Sequence, residues 1–316
     1  MLRKFTSLIV ALSLMLLPAA LSEAAAVRVG ALKGPTAMGM VEMMQDKADA
    51  YDFTLAAAPD EIVPLLVKGD LDIAAVPANL GSVLYNNTKG AVRVLAINTL
   101  GVLYIVERGE TIQSVEDLKG RTLVSAGKGS TPEYALNYIL RGNGLDPESD
   151  LTIEYKSEHA ECLAAMLQDE SVVAMLPQPF ATVAQTKAED MRIALDLTQE
   201  WDALQAEAEA PSAMITGVAV ARADFIEQNP EAVEQFMTDY AESVAFVQEN
   251  TADAAALIGQ FDIFEAGPAQ KALPYCNIVF IAGDDMKTLL GGYLAELFAQ
   301  DPASVGGALP GDDFFY

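Results

Sequence analysis

From Val27 onward the chain alternates short runs rich in Val, Ile and Ala with longer stretches whose apolar residues recur every three or four positions. Short solid or alternating apolar runs read as strands, and a period near 3.6 reads as amphipathic helix. This pattern predicts strands at 27–32, 53–57, 72–76, 92–97, 121–125, 151–156, 172–176 and 191–197. Helices are expected at 37–50, 60–68, 132–141 and 159–168, with another begun by Pro177-Gln178-Pro179. Asp60 is placed to cap the second helix and Gly69 to stop it, while Pro64 is tolerable so near a helix start. Ser114 and Asp117 have capping-box spacing before a short helix ended by Gly120. Strands alternating with crossover helices make an α/β fold.

The segment 100–107 is apolar and extended and reads as a linker strand between two such units, and 191–197 can lead the chain back. The expected organisation is a discontinuous first lobe, 27–100 with 198–316, and a second lobe, 101–197. Beyond 197 the pattern is mostly helical, with Val233, Phe236, Met237, Tyr240, Val244 and Val247 marking one face after the Asn229-Pro230 start. Further helices are expected at 252–260 and 284–300. The tail from Asp301, rich in Gly, Pro and Asp, should be loosely held.

The first 26 residues differ from the rest. Arg3 and Lys4 precede an apolar run, 8–17, which Pro18 breaks before the small residues Ser22, Ala24 and Ala26. That is the order of a cleaved secretory signal peptide, and the run is too short for a membrane span. No cysteine follows it to carry a lipid, so a freely diffusing, exported, periplasmic protein is expected. The 19 basic and 45 acidic residues give a formal net charge of -26, which argues against nucleic acid and anionic membrane surfaces as partners. Cys162 and Cys276 fall in different lobes, where a bridge would oppose relative motion, so two separate buried thiols are expected.

Ligands of open parallel sheets gather outside the carboxyl ends of strands, where helix N-termini expose amides. Four turns qualify, two from each lobe: Lys33-Gly34-Pro35-Thr36, Pro77-Ala78-Asn79, Lys128-Gly129-Ser130-Thr131 and Pro177-Gln178-Pro179. Asn98, just past a strand, joins the candidates. Glycine allows close backbone approach, and Thr36, Asn79, Ser130, Thr131 and Gln178 can supply side-chain hydrogen bonds. Lys33 and Lys128, scarce bases in these turns, lean toward an anionic group on the ligand. Tyr155 or Trp201 could add an aromatic wall. His159, the single histidine, reads as a surface residue, so zinc sites needing several imidazoles are excluded. The sequence has no GxSxG, Walker A, GxGxxG or CxxC motif, and neither an enzyme, a metal nor a cofactor is expected.

The stretches Ser114-Val115-Glu116-Asp117-Leu118-Lys119-Gly120, Gly129-Ser130-Thr131-Pro132-Glu133-Tyr134 and Asn143-Gly144-Leu145-Asp146-Pro147 resemble the second lobe of the solute-binding proteins for nitrate, sulfonate, taurine and thiamine-pyrimidine precursors. Gly69-Asp70-Leu71-Asp72-Ile73-Ala74, Leu176-Pro177-Gln178-Pro179-Phe180-Ala181-Thr182 and Asn229-Pro230-Glu231 stand in the same order as in that family. The resemblance runs from about Val27 to Leu257. It implies a periplasmic-binding-protein-like fold, two α/β lobes with a ligand cleft between them, closing by hinge motion on a small-molecule solute. It also implies delivery to the membrane permease of an ABC-type importer, and a monomer. The family's binding turns carry over onto 33–36, 77–79 and 129–131. Gln178 stands where many relatives have Glu, so the ligands of those relatives do not transfer. A sensory module for a membrane receptor, and an enzyme on the same fold, are the alternative readings.

Overall fold

A computed structural model describes residues 25–206 and 212–316. The expected signal peptide falls on 1–24 almost entirely, outside the described residues. The chain begins with β1 (Val27–Leu32), α1 (Pro35–Met38), α2 (Val41–Asp46), β2 (Tyr51–Ala56), α3 (Pro59–Lys68), β3 (Ile73–Pro77), α4 (Ala78–Asn87) and β4 (Val92–Leu100). It then passes through β5 (Leu103–Arg108), β6 (Thr122–Ala126), α5 (Thr131–Gly142), β7 (Thr152–Lys156), α6 (His159–Gln168), β8 (Val173–Pro177), α7 (Phe180–Lys187) and β9 (Met191–Asp196). The return runs through α8 (Leu197–Gln205), β10 (Ile215–Arg222), α9 (Ala223–Gln228), α10 (Pro230–Glu249), α11 (Thr251–Gln260), α12 (Ala266–Ala272), β11 (Ile278–Ile281) and α13 (Gly283–Gln300).

These strands form two sheets, in the orders β11-β4-β10-β3-β1-β2 and β7-β6-β8-β5-β9. Each sheet has a parallel core, β2-β1-β3 in one and β7-β6-β8 in the other. Each also holds one inner strand that runs against both neighbours, β10 in the first and β5 in the second. Those are the strands by which the chain arrives from the other lobe. The segment read as a linker, 100–107, is therefore mostly a core strand; the true crossing is the short Gly101-Val102 step, where a Cβ on Gly101 would collide with Thr198 Oγ1.

Other expectations change for local reasons. The helix expected at 37–50 is broken at Gly39, whose missing side chain makes room for Ile278 of β11, 2.9 Å from where a Cβ would sit. Asp60 does not cap α3; Glu61 does, its carboxylate accepting from the Ala57 and Ala58 amides at 3.1 and 3.0 Å. Strand β10 interrupts the stretch expected to be mostly helical: it is buried on both faces and so lacks the alternation that marks a half-exposed strand. The tail is not loose. Phe314 is fully buried, Tyr316 donates its amide to Val94 O at 2.9 Å, and Asn86 and Ser82 of α4 donate to Val305 O.

Two of the three apolar clusters belong to single lobes, and the third runs through both. In it Trp201 of α8 stacks against Tyr138 of α5 and Tyr293 of α13, with ring centroids 4.2 and 5.3 Å apart. Its Nε1 donates to Ser212 O at 3.1 Å, which satisfies the buried indole.

Candidate functional site

The carboxyl ends of β1, β2, β6, β7 and β8 each run directly into a helix, and the five helix starts surround one cavity of about 300 Å³. Sharp turns make this possible: Gly34 at φ 129° and Gly127 at φ 82° hold conformations that L side chains rarely adopt. Acidic residues in the first helical turns spend themselves on local caps. Glu133 accepts from the Gly129 amide at 2.6 Å, and Glu161 from that of Ser157 at 2.9 Å. Other first-turn amides have no intrahelical partner by construction, and together with the helix dipoles they offer donors to the cavity, while Glu158, at the start of α6, adds a carboxylate to the same lining.

The hydroxyl groups on the wall are oriented by their own bonds. Thr36 Oγ1 donates to Leu32 O at 2.8 Å, Ser130 Oγ to Gly127 O at 2.8 Å, and Thr99 Oγ1 to Asn98 Oδ1 at 3.1 Å. Each oxygen is left to accept. Gln178 is buried and accepts at Oε1 from the Thr182 amide and hydroxyl, at 3.2 and 2.7 Å, which leaves its amide nitrogen to donate. Thr216 Oγ1 and His159 Nδ1 are buried atoms with no hydrogen-bond partner among the described residues. Ser157 and Glu158 also line the cavity, and the apolar part of its wall is Leu32, Val102, Leu103 and Ile263 beside the phenyl rings of Phe180 and Phe264.

Of the residues singled out in the sequence, Lys33, Gly34, Pro35, Thr36, Pro77, Ser130 and Gln178 line this cavity. Ala78 and Asn79 begin α4 behind it. Asn79 is fully buried, donating to Ser304 O at 3.0 Å and accepting from Thr131 Oγ1 at 3.3 Å, so neither side chain is available to a ligand. Asn98 lies one layer deeper and orients Thr99. Lys128 and Gly129 sit on the outer surface, the lysine ammonium 5.7 Å from the Tyr155 ring. Lys33 reaches the rim with its charge shared by Asp262 at 2.8 Å.

The aromatic expectation also moves. Tyr155 and Trp201 are elsewhere, and the rings on the wall come from Phe180 and Phe264, T-shaped with centroids 5.2 Å apart. His159 is not a free surface residue. It starts α6, lines the cavity with its ring 6.0 Å from that of Phe180, and burial pushes its imidazole down to about 4. Phe264 carried no sequence signal that separates it from a core residue; Phe180 and His159 adjoin or open helices already recognised. Cys162 and Cys276 are buried thiols that burial pushes up to about 12, so neither is thiolate near neutral pH.

A partly open cavity between two sheets, walled by helix starts from both, is the geometry of a solute-binding lobe pair. Residues 39–272 match the family model described as ABC transporter, phosphonate, periplasmic substrate-binding protein. The chain belongs to that family. No curated protein matches the sequence. Among solved structures, an ABC transporter protein from Parabacteroides distasonis superposes with a TM-score of 0.77 at 22% identity, over 92% of this chain and 99% of that one. The periplasmic aliphatic sulphonate-binding protein of Escherichia coli gives 0.72 at 17% identity, over 92% of each chain. The ligand-binding component of an ABC-type import system from Staphylococcus aureus, solved with zinc bound, gives 0.69 at 13% identity, over 92% and 96%. These likenesses establish the two-lobed fold; their differing ligands leave the solute to the residues of the cavity. Among the described residues no helix is long and apolar enough to cross a membrane, and no cluster of three or more His, Cys, Asp or Glu side chains is set to hold a metal ion.

Proposed function

We propose that this protein is the exported solute-binding component of an ABC-type importer, built as lobes 27–100 with 198–316 and 101–197, and that it hands one small organic solute to a membrane permease. The observation that carries the reading is a cavity walled by five helix starts, three of them from the second sheet. Helix-terminal amides and the Gln178 amide nitrogen suit an acceptor-rich headgroup, the hydroxyl oxygens of Thr36, Thr99 and Ser130 suit donors, and the phenyl rings suit an apolar body. Capture is reversible and makes no covalent bond. The mature chain, 27–316, screened by thermal shift against phosphonates, sulfonates, carboxylates, pyrimidines, flavins and inorganic anions, is expected to melt higher with one class. The stabilisation should approach about 2.7 kcal/mol at a hundredfold excess over Kd. Gln178→Ala should abolish most of that rise while leaving the unliganded melting point within a few degrees. A cooperatively folding protein that answers to no class, or that converts a bound compound, would count against the proposal.

A further inference from the structure

The loop that joins α11 to α12 belongs to the first lobe yet touches the second. Its base is fixed: the Asp262 amide donates to Gly259 O at 3.2 Å, the Ile263 amide donates to Ile258 O at 3.0 Å, and Ile263 is buried. Asp262 holds φ 53°, a left-handed conformation uncommon outside glycine, which turns the chain sharply toward the cleft. Its carboxylate meets Lys33 Nζ at 2.8 Å, tying the loop to the turn that follows β1 at the cavity rim. One turn on, Phe264 reaches Phe180, the first residue of α7, with ring centroids 5.2 Å apart and planes at 87°. Both rings line the cavity. The contact is separate from the chain crossing at Gly101 and from the aromatic stack around Trp201, so no covalent connection enforces it.

We infer that residues 261–265 form a latch, in which Phe264 seated on Phe180 holds the lobes together over the cavity and sets how long a solute remains. An edge-to-face pair between two bodies free to rotate is matched in the closed arrangement and lost in the open one. Truncating one ring removes that preference; each ring also rests against the edge of its own lobe's apolar cluster, so the two alanine variants, which trim different clusters, are compared with each other. The cost of one such pair corresponds to about tenfold in a population ratio. The dissociation rate should rise by about that factor while the association rate, set by the open form, does not fall.

The first test needs no solute. Spin labels at Asp60→Cys on α3 and Gln168→Cys on α6, both exposed positions, report the distance between lobes, because the native thiols are buried and label poorly. The otherwise unaltered protein is expected to show a short-distance population that Phe264→Ala depletes about tenfold relative to the long one. Phe180→Ala, which removes the same contact from the other lobe, should give the same shift, and Phe264→Tyr should restore the short distance. A distribution without a short component, or one unchanged by both alanine variants, overturns the latch. The second test rests on the proposed reading of the cavity as a solute site: with whichever compound raises the melting point, the two alanine variants should release it faster without binding it more slowly. If no compound binds, the reading of the cavity fails while the distance measurement still decides the latch.

Discussion

Asn79 and Ser130 show how little the identity of a polar residue says about the direction it faces. Both stand at strand-to-helix turns, yet Ser130 lines the cavity and Asn79 is locked between Ser304 and Thr131. Asn79→Ala therefore strands a buried carbonyl and a buried hydroxyl and should cost about 1–3 kcal/mol in chemical denaturation. Ser130→Ala should cost less stability and more affinity. A stable Asn79→Ala protein would refute the buried role. The turns themselves were legible because Gly, Pro, Ser and Thr punctuate the ends of apolar runs. Which lysine turns inward was not, since Lys33 and Lys128 have the same local setting and only the second finds Tyr155 outside. His159 carries a sign that can be checked. An imidazole held down to about 4 stays neutral in the folded protein while the unfolded chain, near 6.5, takes up a proton. Between those values the unfolded state binds more protons, so stability from this group is full above about 6.5 and falls as pH drops toward about 4. His159→Gln should lose that part of the slope; melting curves of the two proteins across this range that run parallel would show that the ring is not buried in solution.

Among the elements, helices with one wet face and strands with an alternating pattern could be read from the chain, and the fully buried pieces could not. Strand β10 is Ile-Thr-Gly-Val-Ala-Val-Ala-Arg, with no periodicity to distinguish it from a buried helix, and it sits centrally between β3 and β4. Its Gly217 is there for space: a Cβ would stand 2.5 Å from Asn98 Oδ1 and 2.7 Å from Thr36 Cγ2. Gly217→Ala should lower stability by about 1–3 kcal/mol and disturb the polar floor of the cavity, weakening solute binding as well. Composition also misleads at the C-terminus, where Gly, Pro and Asp surround an anchor. Phe314 packs its ring 5.2 Å from that of Tyr85, so Phe314→Ala should cost about 3–5 kcal/mol; a loss below about 1 kcal/mol would mean the tail is free after all.

Over the whole molecule, the two-lobed α/β architecture followed from the order of strands and turns, whereas the apolar cluster shared by both lobes had no local signature, being assembled from α5, α8 and α13 far apart in sequence. That seam has a practical consequence. Trp201 is the chain's single tryptophan, and its ring neighbours, Tyr138 and Tyr293, sit in elements packed against different sheets. Any rotation of one lobe against the other slides one tyrosine past the indole, so the intrinsic emission of the unlabelled protein is a single-site optical gauge of its own opening, free of background from a second indole.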